Sequence, residues 1–164
     1  MIRTATTLVG LAVAAIIGAP TAAADLNISG VNIGNNGNAE ASFGNVAYAG
    51  PGTSARAVGG VGNIALATGT GEGAFKDGPG SFNFVASVNG FSSVSGNSNF
   101  NAVGSGPGGS ATVDNGNGHI VFAGRNSKAA VSNVNLSATT AFCGGTAITA
   151  QSARIRVSAP CIGG

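Results

Sequence analysis

The chain has 164 residues, with seven Lys/Arg against five Asp/Glu, and only 7% of it is charged while 43% is apolar. Average soluble domains carry roughly 25% charged residues, and disordered chains are usually charged and poor in apolar groups, so neither class fits. A chain so nearly neutral, with no Lys/Arg cluster, cannot neutralise a row of phosphates, which argues against nucleic acid as a partner.

Residues 1–24 read as a signal peptide. Arg3 provides the positive start, Leu8–Ile17 an apolar run of ten residues, Pro20 a break, and Ala22–Ala24 the small residues of a cleavage site. The run is too short to span a bilayer, which needs roughly 20 residues. The expected product is an exported, secreted or cell-envelope protein beginning near Asp25, with no stable membrane insertion after cleavage. Residues 25–164 then form a single domain.

From Leu26, Ile28, Val31 and Ile33 onward, short alternating segments are separated by turns rich in Gly and Asn. Candidate strands include Ala39–Phe43, Val46–Ala49, Ser54–Val58, Ile64–Ala67, Ser81–Val88, Phe91–Ser95, Asn99–Val103, Ser110–Val113, His119–Ala123, Ala129–Val131 and Val134–Ala138. No helical period competes, and so much Gly, Asn, Ser and Thr disfavours helix.

The segments recur about every 18 to 22 residues, which marks stacked supersecondary units. The pattern predicts an all-β fold, a β-solenoid or β-roll of short strands; a β-sandwich is the alternative. Phe82, Phe100, Phe122 and Phe142 follow one another at intervals of 18, 22 and 20 residues. With Ile64 and Phe43 before them, they are expected to stack as one internal column.

Thr146–Ala150 and Ala153–Val157 read as a C-terminal hairpin that caps an open end, with Arg154 and Arg156 on one of its faces. Cys143 and Cys161 flank it. In an oxidising compartment such a pair reads as one disulfide. It would close a loop of about 17 intervening residues and contribute roughly 3 kcal/mol.

Chemistry-bearing residues are few. Past the signal segment the carboxylates are Asp25, Glu40, Glu72, Asp77 and Asp114, and His119 is the one histidine. Glu72 and Asp77 lie in a Gly-rich turn and read as solvated, and Asp114 and His119 bracket a turn. Gly90–Gly96 does not match a nucleophile elbow, and no Lys follows Gly as a phosphate loop requires. Most turns lack the Asp that a calcium-binding β-roll needs. No catalytic, metal or cofactor site is expected.

The stretch from Gly44-Asn-Val-Ala-Tyr-Ala-Gly50 through Ser54-Ala-Arg-Ala-Val-Gly59 to Gly62-Asn-Ile-Ala-Leu-Ala-Thr-Gly69 resembles the head repeats of trimeric autotransporter adhesins. The likeness covers about 25 residues; the interval here is longer than in that family, and the chain shows neither its coiled-coil stalk nor its barrel anchor. What the resemblance implies is a β-roll used for surface contact. The overall composition and signal segment are similar to small secreted actinobacterial proteins, mycobacterial ones included. The functional expectation is a non-enzymatic structural or surface-interaction protein that meets an envelope or host protein. A self-assembling, amyloid-like subunit, such as a homo-oligomer, is the alternative, with an apolar-ligand carrier behind it.

Overall fold

The computed structural model describes residues 25–33, 38–69, 73–150 and 155–158, and among them the secondary structure is all β. The signal segment, Glu72, Arg154 and Cys161 lie outside these residues. The chain opens with β1 (Asp25–Ile28) and β2 (Val31–Ile33), then β3 (Asn38–Ala41), β4 (Val46–Ala49), β5 (Ser54–Ala57) and β6 (Ile64–Thr68). Next come β7 (Gly73–Lys76), β8 (Phe84–Val88), β9 (Phe91–Ser95), β10 (Ala102–Ser105) and β11 (Ser110–Asp114). The last are β12 (Asn117–Ala123), β13 (Lys128–Ser132), β14 (Asn135–Ala141), β15 (Thr146–Thr149) and β16 (Ile155–Ser158).

Strands alternate between two sheets. The even strands β4 to β16 stack in order in a nine-stranded sheet, here sheet A, which β1 and β2 extend; the odd strands β3 to β15 stack in a seven-stranded sheet, sheet B. Successive strands in each stack are parallel, as in Ala102↔Ile120↔Ala138 of sheet A and Ala111↔Ala129↔Ala147 of sheet B. This is a β-solenoid, as the repeat predicts.

The interior is narrow and built from small side chains. In sheet A, Ala47, Ala65, Val85, Val103, Val121 and Thr139 form one buried column, and in sheet B Ala57, Lys76, Val94, Val113 and Val131 form another. The phenylalanines are not inside it. Phe82 and Phe100 are 56% and 67% exposed, Phe43 74%, and Phe122 and Phe142 also face outward. The expected internal Phe ladder is therefore corrected: residues that repeat along a solenoid stack equally well on its surface, and the interior columns are filled by Ala and Val. Phe82 and Phe100 do share a column, with rings 5.3 Å apart and nearly parallel. Phe122 belongs to another, since Gly118 takes the corner position one rung below Leu136.

Below the corner, an asparagine ladder runs through the core. Asn63 donates from both its backbone N and Nδ2 to Asn45 Oδ1 at 2.8 and 3.0 Å. Asn83 does the same to Asn63, and Asn101 to Asn83. Each amide oxygen thus satisfies a buried backbone N–H that the turn leaves without a strand partner. Steps of 18 and 20 residues separate these positions.

The ends differ from expectation. β15 pairs with β13 in sheet B and β16 with β14 in sheet A, so these segments are the last rung and not a hairpin. Their separation follows from the fold's geometry: consecutive strands in each rung belong to opposite sheets. The antiparallel hairpin is at the other end, where β2 pairs with β1 and β1 with β4.

Candidate functional site

The residues singled out for chemistry are dispersed. His119 occupies the fifth position of the asparagine ladder, buried, with its backbone N donating to Asn101 Oδ1 at 2.9 Å. Its Nδ1 accepts from the Ser137 backbone N at 3.2 Å and lies 2.8 Å from Ser137 Oγ, which leaves Nε2 to carry the proton and donate to the Val134 carbonyl at 2.8 Å. Burial holds its pKa below the ordinary histidine value, against the opposing pull of the hydrogen bonds with Val134 and Ser137. The Ser137–His119 contact links two buried side chains inside the ladder. An 18-residue spacing, the same as between the asparagines, was the signal that could have paired them.

Asp114 is exposed and accepts from Ser95 Oγ at 3.0 Å; Asp77 accepts from Arg56 Nε at 3.2 Å, and Arg56 also meets Glu40 at 3.2 Å. Ser92, in the Gly90–Gly96 segment, is buried and bonded to Ser105 Oγ and the Ala86 carbonyl. Among the described residues no three His, Cys, Asp or Glu side chains gather as a metal site would require. Arg156 aligns with Thr139 on the inner register of the final rung and is exposed there. Cys143 is exposed at positive φ beside the last turn.

Lys76 is a fully buried lysine in a core column, its Nζ donating to the carbonyls of Val58, Gly59 and Gly78. Desolvation pushes its pKa down, and Asp77 partly opposes this. Backbone carbonyls wrap the ammonium group, so its place is structural.

What the solenoid does gather is an apolar surface. Period-2 alternation sends Ile64 and Leu66, Phe84 and Ala86, Ala102 and Gly104, Ile120 and Phe122, Ala138 and Thr140, and Ile155 and Val157 to the outer side of sheet A. None of these twelve residues is charged. Ile120 is 60% exposed, Ile155 81% and Phe84 43%. Toward β1 the face closes, where Leu26, Val46 and Tyr48 are buried with Ile28 and Leu66 packed against them.

Beside it runs the corner column. Gly44, Gly62 and Gly118 adopt positive φ there, and in the same column Phe82, Phe100 and Leu136 adopt φ of 57, 55 and 54°. Bulky side chains at such angles cost about 1–2 kcal/mol each, and strained residues of this kind concentrate at functional surfaces. The Phe82 ring lies over Gly62, where an added Cβ would come within 2.8 Å of it, and Leu136 lies over Gly118 in the same way. Glycine would satisfy the turn at every position of the column, yet half of them display a large apolar group.

Comparison with protein-family models, curated proteins and solved structures finds no match.

Proposed function

We propose that this chain is an exported, non-enzymatic structural or surface-interaction protein, and that the outer face of sheet A is its contact surface. The observation that carries the reading is the uncharged face from β6 to β16, on which Phe84, Ala102, Ile120, Phe122, Ile155 and Val157 are exposed, bordered by Phe82, Phe100 and Leu136 held in a strained conformation. Apolar patches of this extent on soluble proteins mark sites of protein or membrane contact. The signal segment supports export to the envelope or beyond, and the local likeness to adhesin heads supports surface contact. The Cys143–Cys161 disulfide belongs to this reading, as a staple on the final rung.

The test is fractionation of the producing cell with wild-type protein, Ile120→Glu and Thr112→Glu. Ile120 lies on the outer face of sheet A and Thr112 on that of sheet B. The reading expects wild type and Thr112→Glu in the envelope fraction and Ile120→Glu released to the medium. Equal partitioning of all three would overturn it.

Self-assembly into fibres is the second reading. The asparagine ladder favours it, since stacked amides are what such fibres share. It ranks second because β1 and β2 cover the first edge of the parallel stack in sheet A, which end-to-end growth would need free.

A further inference from the structure

Resting on that reading of the sheet A face, we infer that its occupant is a second copy of this chain, packed face to face about a two-fold axis. Three features of the face favour its own copy over a different partner.

The first is chemical. A surface with no charge on any of its twelve outward residues offers nothing by which a charged partner could be oriented, whereas it is complementary to itself. A two-fold interface uses one patch on both subunits, so self-complementarity is the requirement.

The second is the relief of the surface. Along the stack, rows of large and small side chains follow one another: Ile64 with Leu66, then Phe84 with Ala86, Ala102 with Gly104, Ile120 with Phe122, Ala138 with Thr140, and Ile155 with Val157. An axis parallel to the strands and passing between β10 and β12 reverses the stack. It sets Ile120 of each copy over Ala102 of the other and Phe84 over Ala138. Both copies carry the same strand spacing, about 4.8 Å, so strand lies over strand along the whole stack. Phe122 lies over Gly104 near the axis, and Ile64 and Leu66 meet Ile155 and Val157 at the two ends. The two sheets can close to the usual separation of about 10 Å.

The third is extent. Six strands spaced by about 4.8 Å, each roughly 17 Å long, give a flat footprint of roughly 500 Å². Side-chain relief and the flanking corner of Phe82, Phe100 and Leu136 raise this toward the roughly 800 Å² that each partner contributes to a stable interface. The product in free solution is a symmetric block with both apolar faces inside and both sheet B faces, with Arg56, Asp114 and Lys128, turned outward, and it opens where the same face meets the envelope.

Sedimentation equilibrium of the secreted protein at tens of micromolar tests this, alongside Ile120→Glu, Thr112→Glu and Ala102→Cys, the last treated with a bis-maleimide reagent long enough to bridge about 10 Å. The expected result is a dimer for wild type and Thr112→Glu, and at least a tenfold weaker dimer for Ile120→Glu with its β-sheet circular dichroism unchanged. The bis-maleimide should join two copies of Ala102→Cys covalently. If Ile120→Glu fails to fold, the cross-link alone decides, and absence of the covalent dimer overturns the inference. A monomeric wild type, or a polymer that Ile120→Glu leaves intact, also overturns it. Should wild type be monomeric while Ile120→Glu still leaves the envelope, the inference falls and the contact surface stands. A dimer with envelope partitioning equal for all variants would uphold the inference and overturn the envelope contact.

Discussion

Sheets A and B share one interior and one repeat, yet they present opposite surfaces. Outward from sheet B point Glu40, Arg56, Ser93, Ser95, Thr112, Asp114 and Lys128, with Phe75, Phe91 and Ile148 the large apolar residues among them. Outward from sheet A points no charge at all. A solenoid's backbone is satisfied rung by rung whatever the outer side chains are, so the outer faces are free to be specialised without cost to the fold. Sheet B therefore carries the charges of the outer surface, and sheet A an uncharged and mostly apolar face, the one proposed for contact.

The comparison is fair only if both faces hang on the same internal support, and the largest predicted effect tests that. Asn83→Ala removes the Nδ2 bonds to Asn63 Oδ1 and the Ser98 carbonyl, and leaves the Asn101 backbone N without its acceptor. Buried groups without partners cost about 1–3 kcal/mol each. Asn83→Ala should destabilise the whole domain by about 3 kcal/mol, in a single unfolding transition seen by both circular dichroism and calorimetry. Two separate transitions would mean that the ladder supports only its own rung.

Next in size is the contrast between the faces themselves. Phe84→Glu and Ser93→Glu are outward changes on opposite sheets, Phe84 exposed and Ser93 half-buried. For protein loaded dilute enough to be monomeric, retention on a phenyl matrix should fall at least tenfold for Phe84→Glu and stay unchanged for Ser93→Glu, with melting temperatures of both close to wild type. Equal retention would dissolve the distinction between the faces. At the border, Phe100→Gly relieves a positive φ and loses the stack on Phe82. Those effects oppose one another at about 1 kcal/mol each, so thermal stability should shift little while phenyl retention drops.

Much of this architecture was legible in the sequence, and the reasons are physical. Strands such as Ser54-Ala-Arg-Ala57 alternate polar with apolar, and the repeat of such segments implied stacking. What misled was the habit of placing the largest apolar residue inside. In Ile64-Ala-Leu-Ala-Thr68 both parities of the first four residues are apolar, and it is the alanines that are buried. Part of the signal for the apolar face was present: Val46-Ala-Tyr-Ala49 and Ile64-Ala-Leu-Ala67 have no polar residue at either parity. The C-terminal hairpin failed because a turn between two strands looks the same whether they pair or pass to opposite sheets. The buried Lys76 could not be foreseen, since only its position beneath the Val58–Gly59 turn supplies the carbonyls that hold it.

His119 bears on the interior that the two sheets share. Its folded pKa lies below the ordinary value because burial disfavours the imidazolium. As pH falls through the unfolded value of about 6.5, the unfolded chain takes up a proton that the folded chain refuses, so stability is lost toward the acid side and is full above that pH. Denaturant midpoints should therefore fall between pH 7 and pH 5. His119→Asn restores the amide that the ladder carries in the four preceding positions and should flatten that dependence. An unchanged slope would place the titrating group elsewhere.

The smallest effect belongs to the charged wall. Arg56 bridges Glu40 and Asp77, tying the outer side of β3 and β5 to the residue that follows β7. All three side chains are roughly half exposed, so solvent and salt screen the attraction, and exposed pairs of this kind contribute about 0–1 kcal/mol. Arg56→Ala should lower stability by less than about 1 kcal/mol, and the difference should vanish in 1 M salt, where the screening length is about 3 Å. Phenyl retention should not change. A larger loss that survives salt would mean that the Arg56 stem packs against Phe75, its neighbour in register, and that sheet B too carries apolar support on its outside.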